Sequence, residues 1–111
     1  MSEKYVNAID GSIRVLVKAP EEEIGHITRI RNKLKDLQKA VGGHIEAVTI
    51  SPDIVILCNE EGRLDNLPYN CEIAGISFVG TIIAVGVEEE EFADLPEFVT
   101  LDYWKEELLE E

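Results

Sequence analysis

In 111 residues this chain has two cysteines, two histidines and one tryptophan, so little is available for covalent or metal staples. Cys58 and Cys71 cannot make a disulfide framework, and neither belongs to a CxxC pair. Cys58 closes an apolar run and reads as a small buried hydrophobe. His26 and His44 lie in no ligand-spaced pattern, so no metal site is expected. Ser2, Ser12, Ser51 and Ser77 sit in no nucleophile elbow, and phosphate-loop and dinucleotide fingerprints are missing, so no cofactor is expected either. No apolar run approaches the ~20 residues that span a bilayer. The opening MSEKYVNAID lacks the basic region and apolar core of a secretory signal, which points to a cytoplasmic protein.

What is present is apolar bulk and acid. At 45% apolar residues the chain is too hydrophobic to stay unfolded despite a net charge of −13. Its length suits one domain, able to bury roughly two-thirds of its unfolded surface. As a whole body it should be repelled by nucleic-acid strands and anionic membranes. The charge is uneven, however. Residues 1–50 hold eight basic groups against seven acidic ones, whereas residues 51–111 hold only Arg63 and Lys105 against sixteen acids. The first half can therefore present a local cationic surface.

Along the chain, residues 1–11 read as an N-terminal arm ending at the Asp10-Gly11 turn signal. Ser12–Ala19 alternates as a half-buried strand, with Leu16 breaking the alternation and implying cover on its second face. Ile24–Arg31 reads as a β-branched partner strand. Asn32 is the expected cap of a helix over Lys33–Val41, where Leu34, Leu37 and Val41 recur at helical spacing and Gly42-Gly43 supplies the stop. His44–Ile50 and Ile54–Cys58 predict an antiparallel pair, the second strand central. Ile73–Val87 is strand-rich, with Gly75, Gly80 and Gly86 marking bulges, bends or close contacts. After it come an acidic linker and a candidate helix near Asp102–Glu110 carrying Tyr103, Trp104, Leu108 and Leu109. The expected fold is α+β: a mainly antiparallel sheet of four to five strands, one principal helix packed across it, and an acidic C-terminal helical element. Its parts are the arm 1–11, a domain over 12–87 and an acidic extension over 88–111.

Three groups of residues carry chemistry worth testing. Asn59-Glu60-Glu61-Gly62-Arg63 follows a buried strand, so its side chains leave a rigid edge, where an amide and carboxylates can read polar ligand groups. The plainer reading is a hairpin turn with solvated glutamates. Gln38 and Glu46 flank the bare backbone of Gly42 and Gly43, and could line one mouth of the sheet or simply cap a helix. Arg29, Arg31, Lys33, Lys35 and Lys39 could meet phosphate or form a solvated face. Adjacent strand residues point apart, which argues against Glu60 and Glu61 acting as a paired acid and base.

In order, IRVLVKAP, LKDLQKAVGGHIEAVTI, VILCNEEGRLDNLPYN and IAGISFVGTIIAVG resemble the domain of unknown function 3846 family over about residues 12–87. The LQKxVGGxIExV and CNEEGxLxxLPxN segments are the most specific parts. The resemblance implies a small cytosolic accessory protein of phage or mobile-element origin, and brings no assigned reaction. Its polar positions fall on Gln38, Gly42, Gly43, Glu46, Asn59, Glu60, Glu61, Gly62 and Asn70. By analogy with small phage proteins that counter host defence, the expected function is a non-enzymatic binding protein in the bacterial host cytoplasm. It would sequester a small nucleotide-like immune signal in a pocket between subunits of a homo-oligomer, with Asn59, Glu60 and Asn70 reading polar edges. Arg29, Arg31 or Arg63 would meet phosphate. Two alternatives stand beside it. One is an acidic inhibitor whose residues 88–111 imitate nucleic acid and occupy a basic groove on a host nuclease or CRISPR effector. The other is a small nucleotide hydrolase using Glu60 or Glu61.

Overall fold

The computed structural model describes residues 11–110, so the expected arm lies outside the described residues except for Gly11. β1 (Ser12–Lys18) and β2 (His26–Arg31) form an antiparallel pair, followed by α1 (Leu34–Val41). β3 (Ile45–Ser51) and β4 (Ile54–Asn59) make the next hairpin, then β5 (Tyr69–Ile73) and β6 (Ile76–Val79). β7 (Ile82–Glu88) and β8 (Glu91–Ala93) precede α2 (Leu101–Tyr103), which continues as a wider π-type turn over Trp104–Leu108 and ends in β9 (Leu109–Glu110). The fold is α+β. Its main sheet is antiparallel, in the order β2-β1-β7-β4-β3, with β8 added on β7, while a smaller sheet has the order β6-β5-β9.

The main sheet is covered on both faces, and strand periodicity of two explains how. Val15, Val55, Leu57, Ile83 and Val85 point to one side, where Leu37 and Val41 of α1 seal them. Leu16, Ile54, Ile56, Cys58, Ile82 and Ala84 point to the other, against Cys71, Ile73 and Phe78 of the smaller sheet and against Leu95, Val99 and Trp104. Leu16 thus has the second-face cover that its break in alternation implies. All six residues of β4 are buried because no face of it meets water.

Asn32 is not the helix cap. Lys33 occupies that position without a side-chain hydrogen bond, and Asn32 Nδ2 instead donates to the Phe92 carbonyl at 2.9 Å. Gly42 does stop the helix, at φ +82°, and its amide donates to the Gln38 carbonyl. Lys39 sits in the last turn as expected.

The boundary expected at residue 87 has no counterpart in the packing. Beyond it, Leu95, Val99 and Trp104 are fully or almost fully buried. Arg14 binds this segment to β1: its guanidinium donates to the carbonyls of Leu95, Pro96 and Val99, and its amide donates to Asp94 Oδ1. The helical element expected near Asp102–Glu110 is shorter and shifted, over residues 101–108, before the chain turns extended.

Candidate functional site

β4 brings buried backbone to the end of the main sheet and delivers Asn59 there, and antiparallel register places Glu46 of β3 opposite Cys58. The Glu60 amide donates to the His44 carbonyl, extending the ladder by one rung. The chain then winds into a tight turn, with Gly62 N–H on Asn59 O, Asp65 N–H on Glu61 O and Leu67 N–H on Gly62 O. Gly62 is buried, and a β-carbon there would stand 2.9 Å from Val79 Cγ2, so only glycine lets the turn lie this close to β6. The turn carries Glu60, Arg63 and Leu64 over a cleft of about 180 Å³, whose opposite wall is β6.

Arg63 spans the cleft, donating from Nη2 to the Ser77 carbonyl. Val48, Ile76 and Phe78 supply apolar wall. Cys58 lies at the floor, and its thiol is pushed up from the usual range by burial first and by the Glu46 carboxylate second, with Arg63 opposing. That keeps the sulfur protonated at neutral pH and unsuited to nucleophilic attack.

The structure brings Glu46, Asn59, Glu60 and Arg63 to one cleft. Asn59 borders it with its amide already engaged: Nδ2 donates to Val41 O at 3.4 Å, and Oδ1 accepts from the Glu61 amide at 2.8 Å. It positions the turn. Gly43 touches Asn59 from behind, while Gln38 and Gly42 belong to the end of α1, on the other face of the sheet. The Gln38 carbonyl accepts from both glycine amides.

The remaining candidates lie elsewhere. Asn70 is buried and fully occupied, accepting from Lys18 Nζ at 2.7 Å and donating to the carbonyls of Lys18 and Gly80. Lys18 is itself only 3% exposed, so this pair ties β1 to the β5 and β7 ends as structure. Arg29 donates to Ser12 Oγ and to Ser12 O, and its guanidinium stands 3.7 Å from Asp94. Arg31 is exposed on β2, opposite Ser12. Neither arginine lines the cleft that Arg63 spans.

Sequence reasoning missed the wall formed by Ile76, Ser77 and Phe78. The local signal was Ala74-Gly75, a two-residue turn with both φ positive, which separates β5 from β6. It also missed a wider cleft of about 830 Å³ beside Arg14 and Arg29, bordered by Asp53, Glu88, Asp94 and Glu97. Its lining carries four carboxylates against two guanidinium groups, so that cleft is acidic. Among the described residues no group of three or more metal-ligating side chains is assembled, and no helix is long and apolar enough to cross a membrane.

A family model described as domain of unknown function (DUF3846) matches residues 13–108. The match runs through the segment that carries Leu95, Val99 and Trp104. No curated protein and no solved structure matches the chain.

Proposed function

We propose that this chain, which belongs to the DUF3846 family, is a non-enzymatic binding protein whose ligand seat is the cleft between the β3–β4 end and β6. The ligand class is a small nucleotide-like molecule, and the physiological role is capture of such a signal during host defence, in a protein of phage or mobile-element origin. The observation that carries the reading is the meeting of Glu46, Glu60 and Arg63 above an apolar wall in one cleft. Flat heterocycles need that combination: apolar faces to lie against and a few fixed polar groups to set orientation.

Size refines the proposal. About 180 Å³ is below the ~300–1,000 Å³ typical of drug-sized ligand pockets, so one ring system enters and the rest of the ligand stays outside. Of the two carboxylates a hydrolase would use, Glu60 lines the cleft and Glu61 does not, and the Cys58 thiol stays protonated, so binding without an activated side-chain nucleophile is the reading we favour. Calorimetric titration against a panel of linear and cyclic nucleotides tests this, followed by chromatography of each mixture. Saturable heat with the ligand recovered unchanged is the expected result. No heat at protein concentrations near 100 times a micromolar dissociation constant overturns the proposal. A converted ligand would favour the hydrolase instead.

A second reading, the acidic decoy, has one observation in its favour. Exposed Glu97, Asp102, Glu106 and Glu107 ride on a segment anchored by Trp104, so their charges have fixed positions. Truncation at residue 87 cannot separate the readings, because it removes core residues. Glu106→Gln with Glu107→Gln can: the decoy loses affinity for a basic partner, and the ligand seat keeps its titration.

A further inference from the structure

We propose that the base seated in the cleft is guanine, read through its Watson–Crick edge by Glu46; this rests on the reading of the cleft as a ligand seat. The hydrogen-bonding groups left open in the cleft select that base. The Asn59 amide is engaged on both its atoms, and Arg63 gives one N–H to Ser77 O while keeping others. Among the described residues the carboxylates of Glu46 and Glu60 have no hydrogen-bond or ion-pair partner. The side-chain groups left open along the cleft are therefore two carboxylates, which only accept, the remaining guanidinium N–H groups and one Asn59 N–H, which only donate, and the Ser77 hydroxyl, which does either.

A complementary ligand must set two donors side by side against a carboxylate and offer acceptors to a guanidinium. Guanine does both. Its N1–H and N2–H₂ lie adjacent and can make two parallel bonds to one carboxylate, and its O6 and N7 are the acceptor pair that arginine takes bidentately. Adenine and cytosine present one amino donor beside a ring nitrogen acceptor, which a carboxylate repels. Uracil and thymine present a single N–H between two carbonyls.

Glu46 is the reader because it stands on a paired strand, opposite Cys58, whereas Glu60 lies just past the strand end, where the turn begins. Its carboxylate acts electrostatically on the Cys58 thiol at the floor. The cleft carries two acidic groups against one basic, so a phosphate is not drawn in. The base enters and the phosphate remains in solvent, which makes the nucleoside at least as good a ligand as its phosphates.

Calorimetric titration of the full chain with guanosine, inosine, adenosine, cytidine, uridine and guanosine monophosphate tests the proposal. Guanosine should bind most tightly. Inosine, which lacks the 2-amino group, should bind at least about tenfold more weakly. Glu46→Gln should abolish the preference for guanosine over inosine, with the buried emission of Trp104 confirming that the variant is folded. Tighter binding of another base, or an unchanged preference in Glu46→Gln, overturns the guanine assignment and leaves the seat standing. No binding by any nucleoside or nucleotide overturns both.

Discussion

Gly43 packs so closely on Asn59 that a β-carbon at position 43 would stand 2.8 Å from Asn59 Nδ2. Through that contact the end of α1, on one face of the main sheet, is locked to the turn that overhangs the cleft on the other. Asn59 donates to Val41 O in the helix and accepts from the Glu61 amide in the turn. One buried amide therefore sets the position of Glu60 and Arg63 relative to Glu46.

Asn59→Ala should leave the Val41 carbonyl and the Glu61 amide without these partners, in a site only 9% exposed. The expected loss is about 2–3 kcal/mol, seen as a lower urea midpoint. Gly43→Ala must push the Asn59 side chain aside, and should lose about 1–2 kcal/mol. Both variants should also weaken any ligand of the cleft. A midpoint unchanged in Asn59→Ala would refute the locking role.

Trp104 is the chain's only tryptophan and is fully buried, with Nε1 donating to the Ile24 carbonyl at 2.9 Å. Its emission should be blue-shifted in the native state and move red in a single step on unfolding. Trp104→Phe removes the indole donor and part of the volume, so a loss of about 2–3 kcal/mol is expected. Deleting residues 88–111 should give a chain that does not fold. A deletion variant with native circular dichroism and a cooperative melt would show that the acidic segment is an appendage.

The central sheet was legible because burial on both faces leaves a mark in sequence. Ile54–Cys58 has no polar alternation, and Leu16 interrupts one. The later elements were less legible. β6, β8 and β9 are four, three and two residues long, too short for a period to register. Asn32 has cap chemistry, yet it is used by Phe92, sixty positions away in sequence. The cleft was half legible for the same reason. Asn59, Glu60 and Arg63 share one turn, so local reasoning groups them, whereas Glu46, which sequence groups with Gln38, joins them through antiparallel register and the β6 wall arrives by tertiary packing. Asn70 looks like a ligand reader until its partner Lys18, 52 residues earlier, is seen.

Cys71 gives the chain an alkaline limit. Burial pushes its thiol up to about 11, with Lys18 opposing more weakly. A group whose folded value is raised holds its proton more tightly in the native state, so its contribution is intact below the unfolded value near 9. Stability should then fall as pH rises from about 9 through about 11, by at most about 2.8 kcal/mol, two units at about 1.4 kcal/mol per unit. Thermal melts across pH 8–11 check this, and Cys71→Ala should flatten the profile while lowering stability throughout. A native thiol at position 71 that reacts with a disulfide reagent at pH 8 as fast as in urea would contradict its burial.

The turn between β7 and β8 consists of Glu88-Glu89-Glu90-Glu91, with Glu88 paired to Glu91 and with φ of +51° at Glu89 and +69° at Glu90. Two successive left-handed residues match the twist of a two-residue hairpin, but that backbone costs an L side chain roughly 1 kcal/mol or more per residue. Glutamate has no short side chain to offset it, and four neighbouring carboxylates repel one another. The hairpin persists because the chain just beyond it is pinned. Gly86 admits the Asp94 carbonyl where any β-carbon would collide, and Arg14 holds Asp94, Leu95, Pro96 and Val99. Glu89→Asn with Glu90→Gly supplies the residues this turn favours and removes two charges, so stability should rise by about 1–2 kcal/mol and the melting temperature by several degrees. Added salt should stabilise the parent more than the variant, because the parent has four neighbouring carboxylates to screen and the variant keeps only Glu88 and Glu91. None of the four residues lines the cleft at Glu46, so ligand titrations should be unchanged. A variant that melts at or below the parent temperature would mean the glutamates are stabilised by contacts that outweigh the strain.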